Sequence, residues 1–191
     1  MLRSLVGSEM CIRDSYMTTK EDISQIVLVN AKSMPADEEP DFSEFMEQYG
    51  YDTAAQEVVV NDAYYVDLTS TDTSNLYSYQ SLQTVIAGGG VDVLGADEMV
   101  FENLAQSGAI ADLTQYFSKD ELEQLKDYIF YVEDKDTGDT FAAGIRLGAG
   151  SWPVEHGYYE KECILGIALG SEHKEAAEQM FRYLLEKSNL D

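Results

Sequence analysis

Residues Tyr79 to Leu113 read YQSLQTVIAGGGVDVLGADEMVFENLAQSGAIADL, and this stretch decides the fold class. From Leu76 to Ala87 the apolar residues Leu76, Tyr79, Leu82 and Ile86 recur at helical spacing, and Gly88-Gly89-Gly90 ends the pattern. Val91 to Leu94 is short and apolar, which predicts a buried strand. Asp97 stands where a helix cap belongs, ahead of a core face of Val100, Phe101, Leu104 and Ala105, and Gly108 stops that helix. A helix, a buried strand and a second helix in this order are parts of a sheet covered on both faces.

The same alternation extends outward. Ile23 to Ala31, ISQIVLVNA, is a β-branched run that predicts a buried strand, broken by Pro35 and Pro40. Asp41 and Glu44 have capping-box spacing before Phe42, Phe45, Met46 and Tyr49, with Gly50 as the stop. Glu57 to Leu68, EVVVNDAYYVDL, reads as strand-rich with Asn61-Asp62 at a bulge or bend, and Thr69 to Asn75 reads as a polar loop. Ser118 and Glu121 form a second capping-box spacing before Leu122, Leu125 and Ile129. Phe130 to Leu147 predicts a hairpin turning at Asp136-Thr137-Gly138-Asp139, followed by a loose loop from Gly148 to Gly157. Cys163 to Leu169 is a last buried strand, and Ser171 caps a helix carrying Ala177, Met180, Phe181, Leu184 and Leu185. The expectation is one α/β lobe with a mainly parallel sheet flanked by helices, plus a β-hairpin.

Charge excludes one class of partner. The chain of 191 residues has 36 acidic and 12 basic side chains, a formal net charge of -24. Such a polyanion repels phosphate backbones, so no nucleic-acid partner is expected. The acidic residues are interleaved with Tyr, Leu, Ile and Val, as on a solvated surface over a single core.

The first fifteen residues stand apart. Within Met1 to Ser15, the run VGSEMCIRDS from Val6 resembles translated sequencing-adapter read-through. A non-native scar over 1–15, unpacked against the rest, leaves 16–191 as the single domain. On that expectation the uncorrupted gene carries an apolar segment of about 20 residues upstream of Tyr16 to Asp22, long enough to anchor the protein in a membrane.

Two segments resemble bacterial extracytoplasmic, periplasmic-type solute-binding proteins of ABC transporters. In the first, Gly90-Val91-Asp92-Val93-Leu94 resembles the family's x-V-D-V-L strand, followed by Asp97, Gly108 and Ala111-Asp112-Leu113. In the second, Ile164 to Leu185, ILGIALGSEHKEAAEQMFRYLL, resembles the terminal strand and helix, with the "small residue, Ser, Glu, His" turn between them. The resemblance is loose over Asp41 to Leu185 and good in those two segments. It implies a periplasmic-binding-like fold and a non-enzymatic protein outside the cytoplasmic membrane. It also implies a small solute (a sugar or another) and a membrane transporter component as partners. One departure bears on use. Full members insert a second lobe before the terminal strand, whereas here the hairpin ending at Leu147 reaches Cys163 through a short loop. The alternative is therefore a surface protein-interaction domain that reuses one lobe and takes no small ligand.

Open α/β sheets hold ligands beyond the carboxyl ends of their strands. That rule selects Asn30, Lys32 and Ser33 after the first strand, and Asp97 and Glu98 after the Val91 strand. Asp97 has a plainer reading as a helix cap. Trp152, Tyr158 and Tyr159 flank a Gly-rich loop, where they either stack on a solute or pin the loop to the core. Asp134 to Asp139 begins like a calcium loop, but Ile145 occupies the twelfth position, where a bidentate Glu belongs. His156 and His173 have no partner at zinc-ligand spacing, and lone Cys163 lies within an apolar run. No catalytic residue, metal or cofactor is expected from these patterns.

Overall fold

Residues 19–190 are described by a computed structural model. The expected scar at 1–15 lies outside the described residues. Six strands form one open sheet: β1 (Glu21–Leu28), β2 (Gln56–Asn61), β3 (Val93–Ala96), β4 (Ile129–Glu133), β5 (Thr140–Leu147) and β6 (Cys163–Ile167). Their spatial order is β2-β1-β3-β6-β5-β4. The helices are α1 (Ser43–Tyr49), α2 (Thr73–Ala87), α3 (Glu98–Gln106), α4 (Lys119–Gln124), α5 (Trp152–Glu155) and α6 (Lys174–Glu186).

The sheet is mixed, which corrects the mainly parallel expectation. β1 pairs in parallel with β2 and β3, whereas β3–β6, β6–β5 and β5–β4 are antiparallel. The physical reason lies in the connections. A parallel pair needs a crossover, and α1 and α2 supply one each in the first half of the chain. After α4 the chain instead makes a tight hairpin and then returns through a loop whose single helix, α5, has four residues. The hairpin itself stands as expected, closed by the Gly138 and Asp134 N–H groups, which donate to Asp134 and Asp139 carbonyls.

Both faces of the sheet are covered, and side-chain alternation decides which residue goes where. Ile26, Leu28, Val93, Leu165 and Ile167 pack with Phe45 of α1 and Met180, Phe181 and Leu184 of α6. Val27, Leu94, Ala96 and Ile164 pack with Leu82 and Ile86 of α2 and with Val100, Phe101 and Leu104 of α3. Phe101 needs a smooth sheet beneath it: a Cβ placed on Gly144 or Gly166 lies 2.7 Å from its Cζ.

The chain bends at Asn61 as expected, where Asn61 Oδ1 accepts the Ala63 N–H, but the strand that began near Glu57 does not resume beyond it. Other local details depart from expectation. Asp41 does not close a capping box; α1 begins at Ser43, whose N–H donates to Asp41 Oδ1 at 2.9 Å. The stretch expected as a loose loop contains α5. Ser171 lies two residues before the N-cap of α6, His173, and faces into the core. The Ser118–Glu121 capping box and the Asp97 cap form as expected.

Candidate functional site

Chain order makes β1 and β3 the place where the connections diverge. From β1 the chain goes through α1 on one face to β2, then through α2 on the other face back past β1 to β3. A crevice at the carboxyl ends of two such strands is where open α/β sheets hold ligands. Asn30 and Asp97 meet there.

Asn30 Nδ2 donates to Asp97 Oδ2 at 2.6 Å and to the Val66 carbonyl at 2.8 Å, while its Oδ1 accepts the Val66 N–H at 2.7 Å. The other Asp97 oxygen accepts the Val100 N–H at 3.1 Å and caps α3. Asn30 holds φ at 57°, in the left-handed region where Asn is among the few residues tolerated. The side-chain amide thus ties three segments together: the end of β1, the loop after β2, and the start of α3.

The remaining residues selected from sequence lie around this clasp. The Lys32 N–H donates to the Tyr158 carbonyl at 2.8 Å, and the Ser33 hydroxyl lies 3.4 Å from Asp62 Oδ1. Glu98 accepts from Arg146 Nη2 at 2.8 Å, and Arg146 Nη1 donates to Glu162 at the same distance. The Glu98 hydrogen bond is the main influence raising the guanidinium pKa, with burial opposing it. Tyr159 is buried, and its hydroxyl donates to the Val29 carbonyl at 2.8 Å. Burial pushes the Tyr159 phenol well above its ordinary range and the Tyr158 phenol up to about 12.

Trp152 and Tyr158 are also buried, stacked with ring centroids 5.7 Å apart, and the Phe42 ring lies 5.8 Å from that of Trp152. The three aromatics selected from sequence therefore floor the sheet end from within. The polar groups beside them are bonded to one another.

No protein-family model, curated protein or solved structure matches the chain.

Cys163 is buried, and burial holds its thiol far above the usual range, so the reactive thiolate is suppressed. Asp134 Oδ1 is spent on the N–H groups of Asp136 and Thr137, which makes the acidic stretch a turn. No group of three or more His, Cys, Asp or Glu side chains is placed to hold a metal ion among the described residues.

Two features escaped the reading from sequence. At the opposite end of the sheet, buried Asp92 accepts the Gln25 N–H at 2.7 Å and the Ser171 hydroxyl at 2.5 Å, with His173 Nδ1 at 3.5 Å. Its place in an apolar strand was the available signal, because a carboxylate there requires donors. The second feature is a set of exposed large side chains, Tyr65, Leu76, Tyr77 and Met99, near the starts of α2 and α3. Periodicity had assigned Leu76 to the core face of α2, but it lies in the first turn, outside the cover of the sheet.

Proposed function

We propose that this chain is a non-enzymatic lobe of the extracytoplasmic solute-binding type, used to contact another protein. One observation carries the lobe reading. The two segments that resemble the family lie side by side: β3 pairs with β6, and Asp92 of the first accepts from Ser171 of the second. Elements far apart in the chain are thereby joined through the residues that make the resemblance. The lobe works outside the cytoplasmic membrane, tethered by an upstream apolar segment, with a transporter component as a natural partner. Reading the genomic DNA across the Ser15–Tyr16 junction tests this. An upstream stretch of about 20 apolar residues supports it, and a start codon at Met17 with no such stretch overturns it.

Protein contact is favoured over solute capture by the state of the sheet end. Trp152, Tyr158 and Tyr159 are buried and the Asn30–Asp97 pair is closed, so stacking faces and free donors are scarce where a solute would sit. Enclosure of most of the ligand surface is what gives small-molecule sites their affinity. The solute reading keeps one observation of its own, the left-handed Asn30 at the divergence of β1 and β3. Thermal unfolding in the presence of a panel of sugars separates the two. A rise in Tm that Asp97→Ala abolishes establishes solute binding, and no rise with any sugar leaves protein contact.

A further inference from the structure

We infer that the groove beside residues 109–111 docks an extended segment of a partner protein, one that sets an apolar side chain next to Lys or Arg and pairs its main chain with Ile110. The inference rests on the protein-contact use of the lobe proposed above. After α3 the chain runs alongside the end of β6, at the end of the sheet opposite the Asn30–Asp97 pair. The Leu169 N–H donates to the Ala109 carbonyl at 2.9 Å, and the Ala111 N–H donates to the Ile167 carbonyl at 2.8 Å. Ile110 stands between these bonds, opposite Ala168. Main-chain groups alternate sides along such a ribbon, so Ile110 directs its N–H and carbonyl away from β6. Neither has a hydrogen-bond partner among the described residues, although Ile110 is only 3% exposed. Buried main-chain groups are nearly always paired. Ile110 is thus a short open edge at which an added strand exchanges two hydrogen bonds.

Ile110 lines an open cleft of about 260 Å³ together with Asp112, Asp134, Asp139 and Phe141. A second cleft, of about 330 Å³, is lined by Ile86, Ala87, Ala109 and Leu169. The two belong to one groove, because Gly108 and Leu169 line both. The divide between them is open: a Cβ added at Gly108 would meet nothing within 4 Å, and Leu169 is 47% exposed. One half of the groove is therefore acidic and the other apolar.

Charge decides the occupant. Among the described residues no cation pairs with Asp112, Asp134 or Asp139. A second copy of a chain carrying -24 would bring like charge against them. A groove this open encloses too little of a small solute to hold it tightly. A partner segment with Lys or Arg beside an apolar side chain meets both halves, and its main chain supplies the donor and acceptor that Ile110 lacks.

Short, capped, labelled peptides test this on the full chain at physiological salt: one alternating Lys and Leu, the same peptide N-methylated at every Leu, one of Lys alone, and one alternating Glu and Leu. The Lys–Leu peptide should bind tightest and the Glu–Leu peptide not at all. N-methylation removes main-chain donors and should weaken binding about tenfold. Leu169→Lys sets a cation between the two clefts, and Asp139→Lys reverses a charge at an exposed turn residue. Each should weaken the Lys–Leu peptide about tenfold, and the loss counts in whichever protein keeps the parent Tm. Tyr65→Ser, which removes an exposed aromatic from the loop after β2, should leave binding unchanged.

Equal binding of the all-Lys peptide, or equal loss in the Tyr65→Ser protein, would overturn the inference in favour of diffuse charge attraction. Equal binding of the N-methylated peptide would remove the pairing with Ile110 and the inference with it. Self-association that Leu169→Lys abolishes would assign the groove to a second copy instead. No binding of the Lys–Leu peptide, or unimpaired binding by both Lys variants, sinks this groove alone. The broader reading of the lobe as a protein contact stands or falls separately, on the sugar titrations.

Discussion

The Ser171 hydroxyl donates to the buried carboxylate of Asp92 across 2.5 Å, joining residues 79 apart in the chain. The other carboxylate oxygen accepts the Gln25 N–H at 2.7 Å, so one side chain holds β1, β3 and the turn into α6 together. Asp92 also bonds through its backbone on both sides, giving its N–H to Gln25 and accepting the Ala168 N–H. A buried polar side chain in this position is tolerated because donors surround it.

Removing that carboxylate should be among the most damaging single changes. Asp92→Ala leaves the Gln25 N–H and the Ser171 hydroxyl without their acceptor, and should cost roughly 2–4 kcal/mol in urea unfolding. Asp92→Asn keeps an acceptor and the volume, so about half that loss is expected. Equal stability of Asp92→Ala and the parent would refute the clamp.

Asn30 combines a left-handed backbone with three hydrogen bonds, and the two contributions separate by substitution. Both Asn30→Ala and Asn30→Gly remove the side-chain bonds, but Ala keeps a Cβ at a φ of 57°, where Gly has none to strain. Asn30→Ala should therefore be the less stable by about 1 kcal/mol. A double-mutant cycle with Asp97→Ala should return a coupling of roughly 0.5–3 kcal/mol. A coupling of zero would mean that the 2.6 Å contact does not stabilise the fold.

The floor under Phe101 makes a packing prediction. Gly166→Ala places a methyl group 2.7 Å from the ring and 2.9 Å from the Ala143 carbonyl, and should cost about 1–3 kcal/mol. Phe101→Leu in the same chain should recover part of that loss, because the shorter side chain clears the methyl. No recovery would place the strain at the Ala143 carbonyl.

Acid should weaken the start of α4. Glu121 accepts the Ser118 N–H and hydroxyl at 2.8 Å and pairs with Arg182 at 2.7 Å. The Ser118 backbone bond first, and then Arg182, hold its carboxyl at about 2, against an ordinary 4.5. The folded form therefore releases this proton more readily than the unfolded one. Its stabilisation is complete above pH 4.5 and is lost as the pH falls toward 2. The group is solvent-exposed, so screening keeps the effect below about 1 kcal/mol. Glu121→Gln should flatten this part of the stability profile, and an unchanged slope would remove Glu121 as its source.

Local chemistry was legible in the sequence and long-range pairing was not. Asp97 and the Ser118–Glu121 box act within one helical turn, and their spacing alone placed them. The hairpin was legible for the same reason, since its turn residues are contiguous. Strand–helix alternation was extrapolated past α4, where no further crossover helix exists, and so the antiparallel half was missed. The residue types at the sheet end were chosen from a general rule about carboxyl ends, and Asn30 and Asp97 do lie there. That they would bond each other depends on β1 and β3 becoming neighbours, a contact spanning 67 residues that no local pattern encodes. Trp152, Tyr158 and Tyr159 were visible as a cluster, but whether such rings face outward or inward depends on distant segments such as Phe42, just before α1, which packs on Trp152.

The central position of β6 has a consequence for biosynthesis. This strand lies between β3 and β5, yet among the described strands it is the last to be made. Until Cys163 to Ile167 has been made, the nascent chain holds two separate fragments, β2-β1-β3 and the β4–β5 hairpin, each presenting an open apolar edge. Such edges are templates for mispairing with other chains. Synthesis therefore passes through a vulnerable interval that ends only when β6 has been made. A premature stop before Cys163 removes the strand that joins the fragments, so the truncated product should depend on chaperones or be cleared by proteases.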